Sequence, residues 1–150
     1  MNLFHLLRQV VVLLAVVGSV VFSARASGEE RDYRTHSTAV LNLDTGDFVA
    51  GGNGTHLGSY TELGNVTITG EDPTALDVVG SATLTDKHGN ELCVSITGLM
   101  NFFTGTIIGT LTFEGAPSGR FKDATGSASL VAQVQPDGTI AVIVEGTIDY

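Results

Sequence analysis

The stretch that decides the fold is C-terminal: Ser127–Val134 (SASLVAQV), Gln135–Gly138 (QPDG) and Thr139–Tyr150 (TIAVIVEGTIDY). On both sides of the middle segment, one set of alternate residues is small or apolar. Successive side chains of a strand point to opposite faces, so this alternation indicates two strands that each bury one face. A proline followed by Asp-Gly is a strong turn signal. The stretch therefore predicts two antiparallel strands joined by a tight turn.

The same alternation recurs upstream and predicts more strands. Four of them are Tyr33–Leu43, Gly80–Thr85, Glu91–Thr97 and Gly105–Phe113, and Thr55–Thr69 is a long strand or a hairpin bent near Gly64. Lys87–Asn90 has the residues of a tight turn, whereas the Asp, Gly and Asn content of Asp44–Gly54 and Glu71–Asp77 indicates loops. No stretch from residue 27 onward keeps a helical period over ten residues.

Seven or eight short strands joined mostly by turns indicate an antiparallel barrel or sandwich. An exposed edge strand favours aggregation, and closure of the sheet removes both edges. We therefore predict an all-β fold, a closed antiparallel barrel of about eight strands, with a β-sandwich as the alternative. A chain of this size buries enough surface for an independent core.

The N-terminus has the features of a secretory signal peptide. Arg8 precedes an uncharged apolar run, Val10–Phe22, and small residues at Ala24 and Ala26 form an Ala-x-Ala cleavage site. Thirteen apolar residues are short of the roughly 20 that span a bilayer, which disfavours an uncleaved anchor. The sequence predicts a signal peptide at 1–26, cleavage between Ala26 and Ser27, a disordered lead-in at 27–32 and one barrel domain at 33–150. The mature protein is then secreted or periplasmic and free of the membrane.

Charge and cysteine content exclude several classes of function. The 150 residues carry a net charge of −9, and removal of Arg8 and Arg25 with the leader leaves five basic against 16 acidic residues, a net −11. This balance argues against a nucleic-acid partner, which needs clustered Lys and Arg. The single Cys93 excludes a disulfide framework, and we expect it to be buried and inert. Asn53 and Asn65 begin glycosylation sequons, which are used only in a eukaryotic secretory pathway.

The first candidate site residues lie near the start of the Thr55–Thr69 segment. Alternation places four of them on one face: His56, Gly58, Tyr60 and Glu62. A histidine and a phenol beside a glycine suit a pocket, where histidine acts as an acid, a base or a ligand. The simpler interpretation is a polar face turned to solvent, with Leu57 and Leu63 in the core.

Arg120 is the third candidate. Its planar guanidinium suits a carboxylate-bearing ligand at the mouth of a barrel. The simpler interpretation is that Arg120 ties its turn together through backbone carbonyls or Asp123, with Phe121 as a core plug. His36, His56 and His88 fall in three separate elements without ligand spacing, so we predict no metal site and no cofactor. The acidic loops also lack the spacing of a calcium-binding EF-hand.

Two segments carry a family resemblance. Thr55–Thr61 (THLGSYT) and Ser118–Ser127 (SGRFKDATGS) resemble secreted, mostly uncharacterised bacterial proteins with an early THLG strand and a late GTGRF..ATG turn. The second segment is also similar to the glycine-rich turn of dirigent proteins and allene oxide cyclases. The resemblance implies an eight-stranded, calycin-like barrel with an axial cavity. Pro117 and Ser118 stand where dirigent-type turns keep Gly-Thr, and the catalytic residues of neither enzyme family are matched.

These observations favour an exported, non-catalytic β-barrel that binds a small apolar ligand or serves a structural role. The sequence contains no phosphate-binding loop, serine elbow or zinc motif. His56, Tyr60 and Arg120 are the candidate ligand-binding residues, and no catalytic residue is assigned. The alternatives are an isomerase or cyclase acting on a hydrophobic substrate in the barrel, and a cell-surface interaction module. A shaped cavity with one or two polar groups suffices for the former.

Overall fold

A computed structural model describes residues 28–150 as eight antiparallel strands that close into one barrel. The strands are β1 (Arg31–Leu41), β2 (Asp47–Gly54), β3 (Gly58–Thr69), β4 (Leu76–Asp86), β5 (Glu91–Asn101), β6 (Thr106–Gly115), β7 (Thr125–Val134) and β8 (Ile140–Asp149). The predicted all-β closed barrel is confirmed. The predicted signal peptide and its cleavage site lie outside the described residues.

Each strand pairs with the next one in the chain, and β8 returns to pair with β1. In that last pairing Arg31 lies opposite Ile148 and Ala39 lies opposite Ile140. The connections alternate between two ends of the barrel. We call the end that carries the connections 42–46, 70–75, 102–105 and 135–139 the open end, and the end that carries 55–57, 87–90 and 116–124 the closed end.

The strand prediction was wrong in one place. Asp44–Gly54 was expected to be a loop, but Asp47–Gly54 forms β2. Its glycines disfavour a strand locally, and nothing in their pattern marks a buried face. Hydrogen bonding from β1 on one side and β3 on the other nevertheless holds the segment extended. Some strand ends also differ from the prediction: β1 begins two residues earlier than Tyr33, and β4 begins at Leu76 instead of Gly80.

The alternation predicted for the later strands is confirmed, because their apolar sets point into the barrel. These inward residues include Leu92, Val94, Ile96, Leu111, Phe113, Ala128, Leu130, Ala132, Ile140, Val144 and Ile148. Together with the inward residues of β1–β4 they form one continuous core. Burial of such side chains is the main favourable term in folding, at roughly 25 cal/mol per Å² of apolar surface.

A glycine lets one aromatic ring lie flat against the inner wall. Gly64 on β3 is the register partner of Phe48 on β2. A Cβ atom at Gly64 would lie 2.4 Å from Cζ of Phe48 and 2.6 Å from the backbone oxygen of Ser81. No real Cβ contact is that short, so only glycine lets Phe48 adopt this position.

We therefore expect Gly64→Ala to destabilise the barrel by about 1–3 kcal/mol, the usual cost of overpacking a core. Gly51→Ala is the matched control on the neighbouring strand, because its new Cβ would be 3.9 Å from the nearest atom, the backbone oxygen of Tyr60. The control should be as stable as the wild type or slightly more stable. Urea denaturation measures the stability of both variants. Equal urea midpoints for Gly64→Ala and Gly51→Ala would contradict the close contact between Gly64 and the ring of Phe48.

Candidate functional site

The barrel interior contains an apolar cavity toward the open end. Its volume is about 80 Å³, and thirteen of its fourteen lining residues are apolar. The lining consists of Ala39, Leu41, Phe48, Ala50, Glu62, Val66, Ile68, Val78, Ile96, Ile107, Leu130, Ala132, Ile140 and Val142. A cavity with these walls suits a hydrocarbon or aromatic group.

Glu62 is the one ionisable group in the cavity wall. It is 9% exposed, and no residue of the described chain donates a hydrogen bond to its carboxylate. On β3 it is the innermost lining residue, because the next inward residue toward the closed end, Tyr60, belongs to the packed core. Burial raises the pKa of Glu62 to about 7. The carboxyl group therefore changes its charge near neutral pH, inside an apolar space.

Two tyrosines lie beyond Glu62, toward the closed end. Tyr33 and Tyr60 are 2% and 5% exposed, and the ring of Tyr33 meets that of Phe113 edge-on at 4.7 Å between centroids. The hydroxyl of Tyr33 is buried without a hydrogen-bond partner among residues 28–150. Burial, with smaller contributions from Tyr60 and Glu62, raises the pKa of Tyr33, and burial also raises the pKa of Tyr60. Both phenols stay neutral beside Glu62.

The interpretation of this face as turned to solvent was wrong for Tyr60 and Glu62. Tyr60 and Glu62 point into the barrel, whereas Leu63 is 62% exposed. The whole strand explains why: Glu62 shares its face with Gly64, Val66 and Ile68, while the opposite face carries threonines and Asn65. Reading the alternation to the end of β3, instead of over its first residues only, reveals the buried carboxylate.

Arg120 lies at the closed end and binds protein groups there. Its guanidinium donates a hydrogen bond to the backbone carbonyl of His56, lies 3.3 Å from Oδ2 of Asp86 and covers the ring of Phe121 at 4.4 Å from the centroid. The interpretation of Arg120 as a structural tie is close to this arrangement, but the acidic partner is Asp86 and not the predicted Asp123. Phe121 is fully buried, as expected of a core plug.

Asp86 organises the turn that faces Arg120. Its Oδ1 accepts hydrogen bonds from the backbone amides of His88 and Asn90, and its Oδ2 accepts one from the side chain of Asn90. Burial acts to raise the pKa of Asp86, but these hydrogen bonds and the one from Arg120 lower it to about 2. Sequence reasoning missed this residue. The sequence Asp-Lys-His-Gly-Asn at 86–90 is nevertheless a recognisable turn pattern, in which the aspartate side chain caps backbone amides.

His56 is held in the same cluster. It has a positive φ of 65°, so it lies in the turn before β3 and not on the strand. Nε2 lies 2.8 Å from the carbonyl oxygen of Asp32, and Nδ1 lies 3.1 Å from the hydroxyl of Tyr150. Since a carbonyl only accepts, Nε2 is the donor, and in the neutral ring Nδ1 accepts from Tyr150. Both ring nitrogens are thus occupied.

The structure therefore divides the three predicted ligand-binding residues. His56 and Arg120 meet at the closed end, whereas Tyr60 lies inside the barrel beside Glu62. The chemistry available at the closed end is structural, because its polar groups are paired with one another. Inside the barrel, the carboxylate of Glu62 and the hydroxyl of Tyr33 lack a hydrogen-bond partner among the described residues.

Cys93 was expected to be buried, but it is half-buried on the outer face of β5, with Sγ 3.9 Å from Oγ1 of Thr83. Within residues 28–150 no group of three or more His, Cys, Asp or Glu is arranged to hold a metal ion. The same part of the chain has no helix with the length and apolar character needed to cross a bilayer.

Comparison with family models, with curated proteins and with solved structures finds no match for this chain.

At the closed end, Asp86→Ala should lower the free energy of unfolding by about 2–4 kcal/mol at neutral pH. The variant leaves the backbone amides of His88 and Asn90 and the Arg120 cation without their acceptor. Because folding lowers the pKa of Asp86, this stabilisation is present above its ordinary value of 3.8 and is lost as the pH falls toward 2. The difference in free energy of unfolding between the variant and the wild type should therefore decrease as the pH is lowered. Asp123→Ala is the control and should change stability by no more than about 0.5 kcal/mol; urea midpoints that coincide for the two variants would refute the role of Asp86.

In the cavity, Glu62→Gln should make stability less sensitive to pH. Folding raises the pKa of Glu62 from 4.5 to about 7, so the folded protein loses stability as the pH rises through this interval. The full effect corresponds to about 3 kcal/mol. The free energy of unfolding of the variant, measured by urea denaturation, should therefore increase relative to that of the wild type between pH 4 and pH 8. Glu91→Gln, which removes an exposed carboxylate, controls for net charge. A stability difference between Glu62→Gln and wild type that stays constant over this range would contradict the burial of a titrating carboxyl.

Proposed function

We propose that this protein is an exported, non-catalytic β-barrel that binds a small apolar ligand in the cavity toward its open end. The observation that carries the proposal is the cavity itself: a barrel of this size need not contain one, and its wall is apolar except for Glu62. A site that places one polar group among apolar walls selects a ligand by shape and by one matched contact.

Export is supported by the leader sequence. The leader has the three features of a secretory signal peptide: a positively charged N-terminal region, a short apolar run and an Ala-x-Ala cleavage site at 24–26.

A barrel of the allene oxide cyclase and dirigent kind is part of the same proposal. The closed antiparallel meander of eight strands supports it, as does the segment 118–127. This segment begins in the β6–β7 connection, where Phe121 closes the end of the barrel. Fold likeness alone transfers no activity, so the function is argued from the cavity.

A second candidate is an isomerase or cyclase that acts on a hydrophobic substrate, and Glu62 is the observation that favours it. A carboxyl group with a pKa near 7 is matched to proton transfer at neutral pH. An isomerase or cyclase converts its bound substrate into a product, whereas a non-catalytic binding protein releases its ligand unchanged. Detection of a product therefore distinguishes the two functions.

The third candidate function, a cell-surface interaction module, is supported by exposed apolar side chains on the outer wall of the barrel. Four exposed apolar residues are cross-strand neighbours on β5–β8: Leu99, Ile108, Val131 and Ile143. Exposed apolar surface of this kind is typical of contact surfaces, but scattered apolar residues are also normal on monomers. The cavity is therefore the stronger basis for a function.

The proposal is tested by filling the cavity. Ala50 faces the cavity, and its neighbour Val49 is 57% exposed on the outer face of the same strand. Ala50→Phe should abolish binding of 1-hexanol, measured by calorimetry or by NMR shifts of cavity methyl groups. Val49→Phe should bind 1-hexanol like the wild type.

Ala132→Leu is a milder filling variant on β7 for the case that Ala50→Phe does not fold. It should weaken binding while circular dichroism shows an intact barrel. Unchanged binding in both filling variants, or no binding of 1-hexanol by the wild type, would refute the cavity as the ligand site.

A further inference from the structure

The positive charges of the described chain are segregated along the barrel axis, whereas acidic residues lie at both ends. All five Lys and Arg residues lie at or near the closed end: Arg31, Arg34, Lys87, Arg120 and Lys122. The open end carries six carboxylates and no Lys or Arg among residues 28–150: Asp44, Asp47, Glu71, Asp72, Asp77 and Asp137. The mouth of the cavity is therefore uniformly negative.

Three of these carboxylates are held in the ionised form. Hydrogen bonds from Asn65 to Asp47, from Thr74 to Asp72 and from Thr139 to Asp137 lower the pKa values of the three aspartates. A negative potential at a mouth raises the local concentration of cations and lowers that of anions. An apolar ligand that carries a carboxylate, such as a fatty acid, is thus disfavoured on approach.

Inside the mouth, Glu62 provides a second and independent observation. The residue is 9% exposed and lines the cavity, and no hydrogen-bond donor in the described part of the chain reaches its carboxylate. A buried carboxylate gains most from a cationic donor, because charge-assisted hydrogen bonds are about twice as strong as neutral ones. Folding leaves this residue mostly buried and its carboxylate without a protein donor, so a ligand in the cavity supplies the missing partner.

Apolar residues also mark the rim. Leu43, Phe102 and Phe103 are 80%, 64% and 73% exposed, and they lie in two connections at the open end. A ligand whose polar head reaches Glu62 extends its remaining hydrocarbon toward these side chains. Along the barrel axis, from the interior toward the open end, the carboxylate of Glu62 comes first and the apolar cavity wall follows. The rim comes last, and its exposed apolar side chains have acidic residues beside them.

We infer that the ligand is an apolar amine, whose ammonium group pairs with Glu62 while its hydrocarbon body lies against the cavity wall. This inference rests on the proposed function and narrows its ligand class. The phenols of Tyr33 and Tyr60 adjoin Glu62 and remain neutral, and its cross-strand partners Ala50 and Leu84 are apolar. No positive group of the described protein competes for the carboxylate.

Three probes with the same chain test the inference: hexylamine, 1-hexanol and hexanoate, titrated into the full chain at pH 8 by calorimetry. Hexylamine should bind about tenfold or more tightly than 1-hexanol, the gain expected of one charge-assisted hydrogen bond. Hexanoate should bind most weakly. In Glu62→Gln the preference for the amine should disappear, whereas binding of 1-hexanol persists and shows that the cavity is intact.

Glu91→Gln is the matched control, because it removes one negative charge away from the cavity and should keep the preference for the amine. A pH series adds a second readout. Below pH 6 an ammonium group must displace the proton of Glu62, so hexylamine affinity should fall on acidification while that of 1-hexanol stays constant.

The outcomes separate the inference from the function on which it rests. Equal affinity for 1-hexanol and hexylamine in the wild type would overturn the inference and leave the apolar cavity standing. A preference for the amine that survives in Glu62→Gln would overturn the pairing with Glu62. Failure of both hexylamine and 1-hexanol to bind would overturn the proposed function itself.

Discussion

The pairing of β8 with β1 is the constraint on which the rest of the structure depends. Without it the eight strands form an open sheet with two exposed edges, and the sheet has no interior. Closure brings Ile140 of β8 opposite Ala39 of β1 and Val142 opposite Ser37, and Ile140, Val142 and Ala39 complete the cavity wall. The isolated carboxylate of Glu62 and the packed closed end both follow from this enclosure.

Alternation predicted much of the barrel because most strands carry one apolar face over their whole length. Ser127–Tyr150 is an example, since its two faces differ clearly and a turn signal separates its strands. The glycines and Asn53 in β2 carry no such signature. Only the hydrogen bonds of two neighbouring strands make this segment extended, and a local pattern contains no information about those neighbours.

The site was harder to predict, for a related physical reason. The side-chain chemistry of histidine, tyrosine and arginine makes them candidate site residues in a sequence. Tertiary contacts, however, determine which of them lack a hydrogen-bond partner in the folded protein. Arg120 binds Asp86 and the carbonyl of His56, which are distant in the chain, and these contacts hold its guanidinium at the closed end. Glu62 was placed on the solvent side because the first residues of its strand suggest a polar face. Burial, and hence its altered acidity, depends on closure of the sheet.

The order of the strands also has a consequence for how the chain folds. Seven of the eight pairings join strands that follow one another, so each forms as a local hairpin. The eighth brings Arg31 beside Ile148, 117 residues later in the chain. The entropy of closing so long a loop exceeds that of a hairpin of about 15 residues by on the order of 2 kcal/mol. We therefore expect closure to be the slow step of folding, and the species that precedes it, which carries both unpaired edges, to be the one most exposed to aggregation.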